Sequence, residues 1–214
     1  MDQISINDIN VLEKASQVLL AGGVIVVPTD TVYGLACDAQ NTEAIERLFR
    51  IKERDRGKSI PVFVRDYVML SEIARLGEPS ATILFNFLPG PLTAVLQALG
   101  ALPSILHKDT PNIGIRIPNY KFDLDLVEKF GRPLAVTSAN ISGKGLCTEV
   151  SAVINSFHET RGPDLLIDAG DLPESIASTV VDFTKIPPVV LREGPISKKD
   201  FFAVANQYYT PVNY

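Results

Sequence analysis

Short β-branched runs alternating with helix-spaced segments constrain this chain more than any other feature. Val24-Ile25-Val26-Val27 is an apolar run ended by Pro28, the pattern of a buried strand. Before it, Ile9, Leu12, Ala15, Val18 and Leu19 recur at helical steps, which predicts a helix over 8–21 closed by Gly22-Gly23. After it, Ala44, Ile45, Leu48, Phe49 and Ile51 repeat that step over 42–52. Further strands are expected at 60–64, 93–96, 113–117, 134–137, 165–168, 179–183 and 189–191. Further helices are expected at 67–75, 80–88, 122–130, 151–157 and 198–208. Alternation of this kind predicts an α/β fold rather than two segregated halves.

With 214 residues and 46% apolar content, the chain can bury a core without disulfides, and one domain over 1–214 is expected. Cys37 and Cys147 lie far apart and form no paired motif, which argues against a disulfide framework or a zinc site and fits a reducing compartment. The start lacks a basic leader, and no apolar run approaches the roughly 18 residues of a membrane span. A cytoplasmic protein without a membrane partner is expected. A net charge of −5 argues against a broad nucleic-acid platform. Residues 47–58 nevertheless carry Arg47, Arg50, Lys52, Arg54, Arg56 and Lys58 against Glu53 and Asp55. That imbalance points either to a small anionic ligand or to a solvated helix end.

Polar clusters follow several of the apolar runs. The first, Pro28-Thr29-Asp30-Thr31-Val32-Tyr33-Gly34-Leu35, places hydroxyls and a carboxylate where open α/β sheets tend to bind ligands, although Thr and Asp also serve turns and caps. The second, 52–59, superficially resembles a phosphate loop, but Lys52 stands where that loop needs its first glycine. Its long cations could still clamp phosphates. In Gly114-Ile115-Arg116-Ile117-Pro118 an arginine interrupts a strand pattern, so it either faces outward or meets a carboxylate in a pocket. Thr137-Ser138-Ala139-Asn140-Ile141-Ser142-Gly143 could contact a ligand or cap the next helix.

Together with Pro89-Gly90-Pro91-Leu92-Thr93, Ser178-Thr179-Val180-Val181-Asp182 and Leu191-Arg192-Glu193-Gly194, these motifs resemble the YrdC family of threonylcarbamoyl-adenylate synthases over about residues 24–195. The remainder, 196–214, would be a C-terminal helix and short tail. The resemblance implies a twisted open sheet with flanking helices around a large, positively charged concave pocket. It implies that Thr31, Arg116, Ser138 and Ser178 hold threonine, with Arg116 on its carboxylate. Arg54, Lys58, Asn140, Thr148 and Arg192 would lie along ATP, and Lys52 and Arg54 would be the catalytic pair at the phosphate and carbonate region. Two departures stand out. Ser59-Ile60 and Phe63 occupy positions where many relatives have Pro-Leu and a histidine, and with only about 20 residues after Arg192 the short form of the family, without the extra C-terminal domain of some relatives, is expected.

The implied reaction carboxylates the threonine amine with bicarbonate, and the carbamate then attacks the α-phosphorus of ATP. Its participants are all anionic, so the cations named above answer the main obstacle, with Mg²⁺ on the phosphates and no metal ligands assigned to the protein. Only His107 and His158 are available as histidines, and both lie outside the motifs. The adenylate would pass to a tRNA-modifying threonylcarbamoyl transferase complex. The contrasting reading is a paralogue of the same fold without synthase activity, binding nucleotide or, weakly, RNA.

Overall fold

A computed structural model describes residues 1–107, 110–157 and 162–208. His158, the final part of the expected tail and the residues 108–109 lie outside them. Asp2–Ser5 forms β1, and Val11–Leu20 forms α1 with Asn10 at its N-cap. Ile25–Val27 (β2) and Gly34–Asp38 (β3) pair antiparallel, so the first polar cluster closes a hairpin between two strands. Thr42–Ile51 is α2, whose Asn41 side chain accepts hydrogen bonds from the backbone N–H of Glu43 and Ala44. Ala44, Ile45, Leu48, Phe49 and Ile51 form its buried face, as their spacing predicts.

The chain continues through Val62–Phe63 (β4), Tyr67–Ile73 (α3), Ala74–Arg75 (β5), Ser80–Leu84 (α4) and Leu92–Ala98 (β6). Asn112–Arg116 (β7), Lys121–Phe130 (α5), Leu134–Ser138 (β8) and Val150–Phe157 (α6) follow. Leu165–Asp168 (β9), Thr179–Asp182 (β10), Val189–Arg192 (β11) and Lys198–Ala205 (α7) complete the described elements. The fourth helix is shorter than the expected 80–88, because Asn86 to Leu88 leave the helix ahead of Pro89.

The strands join one mixed, open sheet in the order β1-β9-β2-β3-β8-β4-β7-β6-β10-β11, with β5 added beside β6. This is the expected α/β class of twisted open sheet with flanking helices. Because β4 runs antiparallel to β8, the C-terminal ends of β2 and β8 lie with the N-terminal end of β3 at one end of the sheet, and those of β4 and β7 lie with the N-terminal ends of β6 and β10 at the other. Successive side chains on each strand then divide between two faces. Ala94, Ile115, Ala135 and Val181 enter the core fully buried. Thr93 and Val95, Gly114 and Arg116, Val136 and Ser138, and Ser178 and Val180 face the other way and line a cavity. Among the described residues no helix is long and apolar enough to cross a membrane.

Candidate active site

The cavity has a volume of about 230 Å³ and gathers residues from Thr29 to Arg192. At one end, the hairpin loop is folded by its own hydroxyls: Thr29 Oγ1 donates to the Val32 carbonyl at 2.8 Å and accepts from the Thr31 N–H at 3.1 Å. This turn holds Asp30 and Thr31 against Arg116 at the end of β7.

Arg116 is 4% exposed, so the two orientations left open by its sequence resolve inward. Its guanidinium pairs with Asp30, donates from Nε to the Gly90 carbonyl at 3.0 Å and from Nη1 to Thr31 Oγ1 at 3.2 Å. It also stands 5.5 Å from the centre of the Phe63 ring. Asp30 is fixed in turn by the Asn119 backbone N–H, which donates to Oδ2 at 3.1 Å. The arginine uses three of its five N–H donors in these contacts, leaving two for a ligand.

Two further arginines face the same space. Arg54 donates from Nη2 to the Ser59 carbonyl at 2.8 Å, and Arg192 donates from Nε and Nη2 to the Ser178 carbonyl at 3.0 and 2.8 Å. Their hydrogen bonds therefore go to backbone oxygens and, for Arg192, to Ser178 Oγ at 3.3 Å, rather than to carboxylates. Burial, and after it the charge of Arg192, holds the Arg54 pKa below the ordinary guanidinium value. Burial and then Arg116 do the same to Arg192. Arg54 and Arg192, each repelled by a neighbouring guanidinium, favour an anion between them. Gly194 is needed just beyond Arg192, since a Cβ there would collide with the backbone of residues 177–179.

Hydroxyls complete the lining. Ser178 Oγ and Thr93 Oγ1 lie 2.8 Å apart, and Thr31, Thr137 and Ser138 face the same cavity. Thr31, Arg54, Arg116, Ser138, Ser178 and Arg192 are thus brought together, whereas the other expected residues stand elsewhere. Lys52 is 2% exposed at the C-cap of α2 and does not line the cavity. Its Nζ meets the carbonyl and Oγ of Ser138 at 2.6 and 3.0 Å, and the carbonyl and Oδ1 of Asn140 at 3.0 and 2.9 Å. Burial, followed by the Arg54 charge, pulls the Lys52 pKa down to about 7, while these four oxygens favour the ammonium.

Asn140 has its own amide engaged on both sides. Oδ1 accepts from Lys52 and from Ser138 Oγ, and Nδ2 donates to the carbonyls of Ile141 and Lys144. Lys52 and Asn140 therefore brace the loop after β8, and neither lines the cavity. Lys58 is exposed, and Thr148 sits in the loop leading to α6, where its carbonyl accepts from the Leu172 N–H at 2.8 Å. The residues that went unassigned, Thr29, Asp30, Phe63 and Thr93, were carried inside or beside recognised motifs. What the sequence lacked was the pairing that turns them toward Arg116 and Ser178.

A family model for Sua5, YciO and YrdC, described as "Telomere recombination", matches residues 17–194. A threonylcarbamoyl-AMP synthase from Pyrococcus abyssi is 32% identical over 187 residues, covering 87% of this chain and 54% of that protein. The solved structure of P. abyssi Sua5 complexed with L-threonine superposes with a TM-score of 0.88 at 29% identity, covering 95% of this chain and 60% of that one. Escherichia coli YciO superposes with a TM-score of 0.83 at 28% identity, covering 94% and 98%. The chain thus spans little more than half the length of the P. abyssi relative and nearly the whole of YciO.

Proposed function

The chain belongs to the Sua5–YciO–YrdC family, and from that membership and the cavity's chemistry we propose that it is a threonylcarbamoyl-AMP synthase. The observation that carries the reading is the convergence of Arg54, Arg116 and Arg192 on one hydroxyl-lined cavity. Its substrates are L-threonine, bicarbonate and ATP, the last as its Mg²⁺ complex, with the ion held by the phosphates. The P. abyssi structure with L-threonine supports the amino-acid assignment.

In this reading the two remaining N–H groups of Arg116 take the threonine carboxylate, and the hydroxyls of Thr31, Ser138 and Ser178 orient the rest of the molecule. The amine adds to the carbon of bicarbonate with loss of water, giving a carbamate. A carbamate oxygen attacks the α-phosphorus of ATP, forming the mixed anhydride and expelling pyrophosphate. Arg54 and Arg192 offset the charge that gathers around phosphorus, so catalysis rests on placement and electrostatics rather than on a protein nucleophile. Lys52 contributes by holding the Ser138 loop. The labile product is passed in the cytoplasm to a transferase complex that modifies tRNA.

Pyrophosphate release from ATP, with threonine and bicarbonate each present or omitted, tests this assignment. Release that requires both is expected. Arg192→Ala should lower that rate by about 10²–10³, corresponding to ~2.7–4 kcal/mol of barrier, while the protein stays folded. Folded protein with no release under any combination would transfer the assignment to a nucleotide- or RNA-binding paralogue.

A further inference from the structure

Of the buried acids among the described residues, Asp38, Asp123 and Asp182, only Asp123 has an enclosed oxygen without a hydrogen-bond partner, and the proposed chemistry leaves it unused. It lies in the first turn of α5, on the same buried face as Phe122, Leu126, Val127 and Phe130, and is 2% exposed. Its Oδ2 is enclosed and finds no hydrogen-bond partner. A carboxylate in that position would be costly, because Oδ2 loses its hydration without a hydrogen bond in exchange. Burial foremost, and then the charge of Asp30, raises its pKa well above the carboxylate range, opposed only in part by Arg116.

The charged and titratable groups around it come from three elements. The charges of Asp30 in the β2–β3 loop and of Arg116 at the end of β7 bear on it, and Tyr120 sits at the N-cap of its own helix. On α1, which packs on α5, Glu13 is engaged by Lys129 at 2.8 Å further along the helix. Asp30 and Arg116 cancel as a pair. A second negative charge beside them would make this end of the cavity net anionic, hostile to an incoming carboxylate.

We propose that Asp123 is a positioning residue that stays neutral, so that Asp30 alone balances Arg116 and the two remaining guanidinium N–H groups stay available to the carboxylate of the amino-acid substrate. Binding then depends on a proton that belongs to the protein. By reciprocity, the substrate carboxylate strengthens the hold of Asp123 on its proton. The sign follows from the raised pKa: affinity is full while Asp123 is protonated and falls about tenfold per pH unit once it ionises in the free protein.

The inference rests on the synthase reading, and calorimetric titration with L-threonine from about pH 6 to about pH 10 separates the two. Asp123→Asn cannot ionise and should match wild type on the acid side. It should lack the additional alkaline loss that wild type shows beyond the loss common to both from the threonine amine. Asp123→Ser, also unable to ionise, repeats the comparison if the amide variant does not fold. Superimposed wild-type and variant profiles would overturn the proposal and leave the synthase reading standing. So would a folded asparagine variant that binds no threonine at any pH. Wild type that binds no threonine would overturn the synthase reading and the proposal with it.

Discussion

The Asp30–Arg116 pair supports a stability prediction that can be worked through in full. Both side chains are nearly enclosed, at 11% and 5% exposed. Truncating Asp30 strands a buried guanidinium, and loss of one partner from such a pair costs about 3–5 kcal/mol. A Coulomb estimate agrees: unit charges about 4 Å apart at an effective dielectric of about 20 interact by ~4 kcal/mol. Asp123 complicates the single variant. With Asp30 gone, burial still raises the Asp123 pKa, but the further push from Asp30 disappears while the pull of Arg116 remains, so Asp123 ionises more readily and offsets part of the loss. Asp30→Ala should therefore lose less than 3–5 kcal/mol in the native background and the full amount in an Asp123→Asn background. At roughly 2–4 °C per kcal/mol for a chain of this size, the full loss lowers Tm by about 6–20 °C. Urea unfolding of the four proteins in the cycle measures both terms. A loss below about 1 kcal/mol in the Asp123→Asn background would refute the claim that Asp30 compensates Arg116.

Other outcomes follow from single positions. Glu53 adopts φ +50° where α2 ends, while the N–H groups of Glu53 and Arg54 return to the carbonyls of Arg50 and Phe49. Glu53→Gly relieves a left-handed cost of about 1–2 kcal/mol at a chain-entropy cost of about 0.4–1, so urea unfolding should show a small net stabilisation; destabilisation would contradict this account. Lys52→Met should free the Ser138 and Asn140 carbonyls from their shared donor and lower synthase turnover even where the variant remains folded; an unchanged turnover would remove the loop brace from catalysis. Burial pushes the Cys37 thiol pKa above its usual range, and Cys37 is fully enclosed, so thiol reagents should modify it only at the rate of unfolding.

The periodic elements were legible in advance because one buried face dictates their spacing. α2 is the clearest case, differing from its expected span only at its last residue. β3 was hidden because Gly34, Ala36 and Cys37 are small and its first residues read as part of a polar loop. β1 was hidden for a different reason: mostly exposed, it pairs with β9 alone at the edge of the sheet and carries no apolar alternation. At the site, motif membership singled out Arg54, Arg116 and Arg192, all of which line the cavity. It could not separate cations that face the cavity from Lys52, which turns inward, since that difference arises where the C-cap of α2 meets the β8 loop. The buried role of Asp123 was equally hidden, because an acid in the first turn of a helix is ordinary dipole compensation until the packing around it is seen.

The spread of the cavity along the chain, from the hairpin at Thr29 to Arg192 at the end of β11, has a consequence for biosynthesis. During translation the hairpin loop at Thr29 to Val32 emerges early, yet the last guanidinium of the cavity arrives only with β11. A nascent chain halted before β11 would carry most of the sheet and no complete anion site. Under the synthase reading, a half-made chain would lack the charge needed to form the mixed anhydride, and closure of the last strand pairing would complete the site.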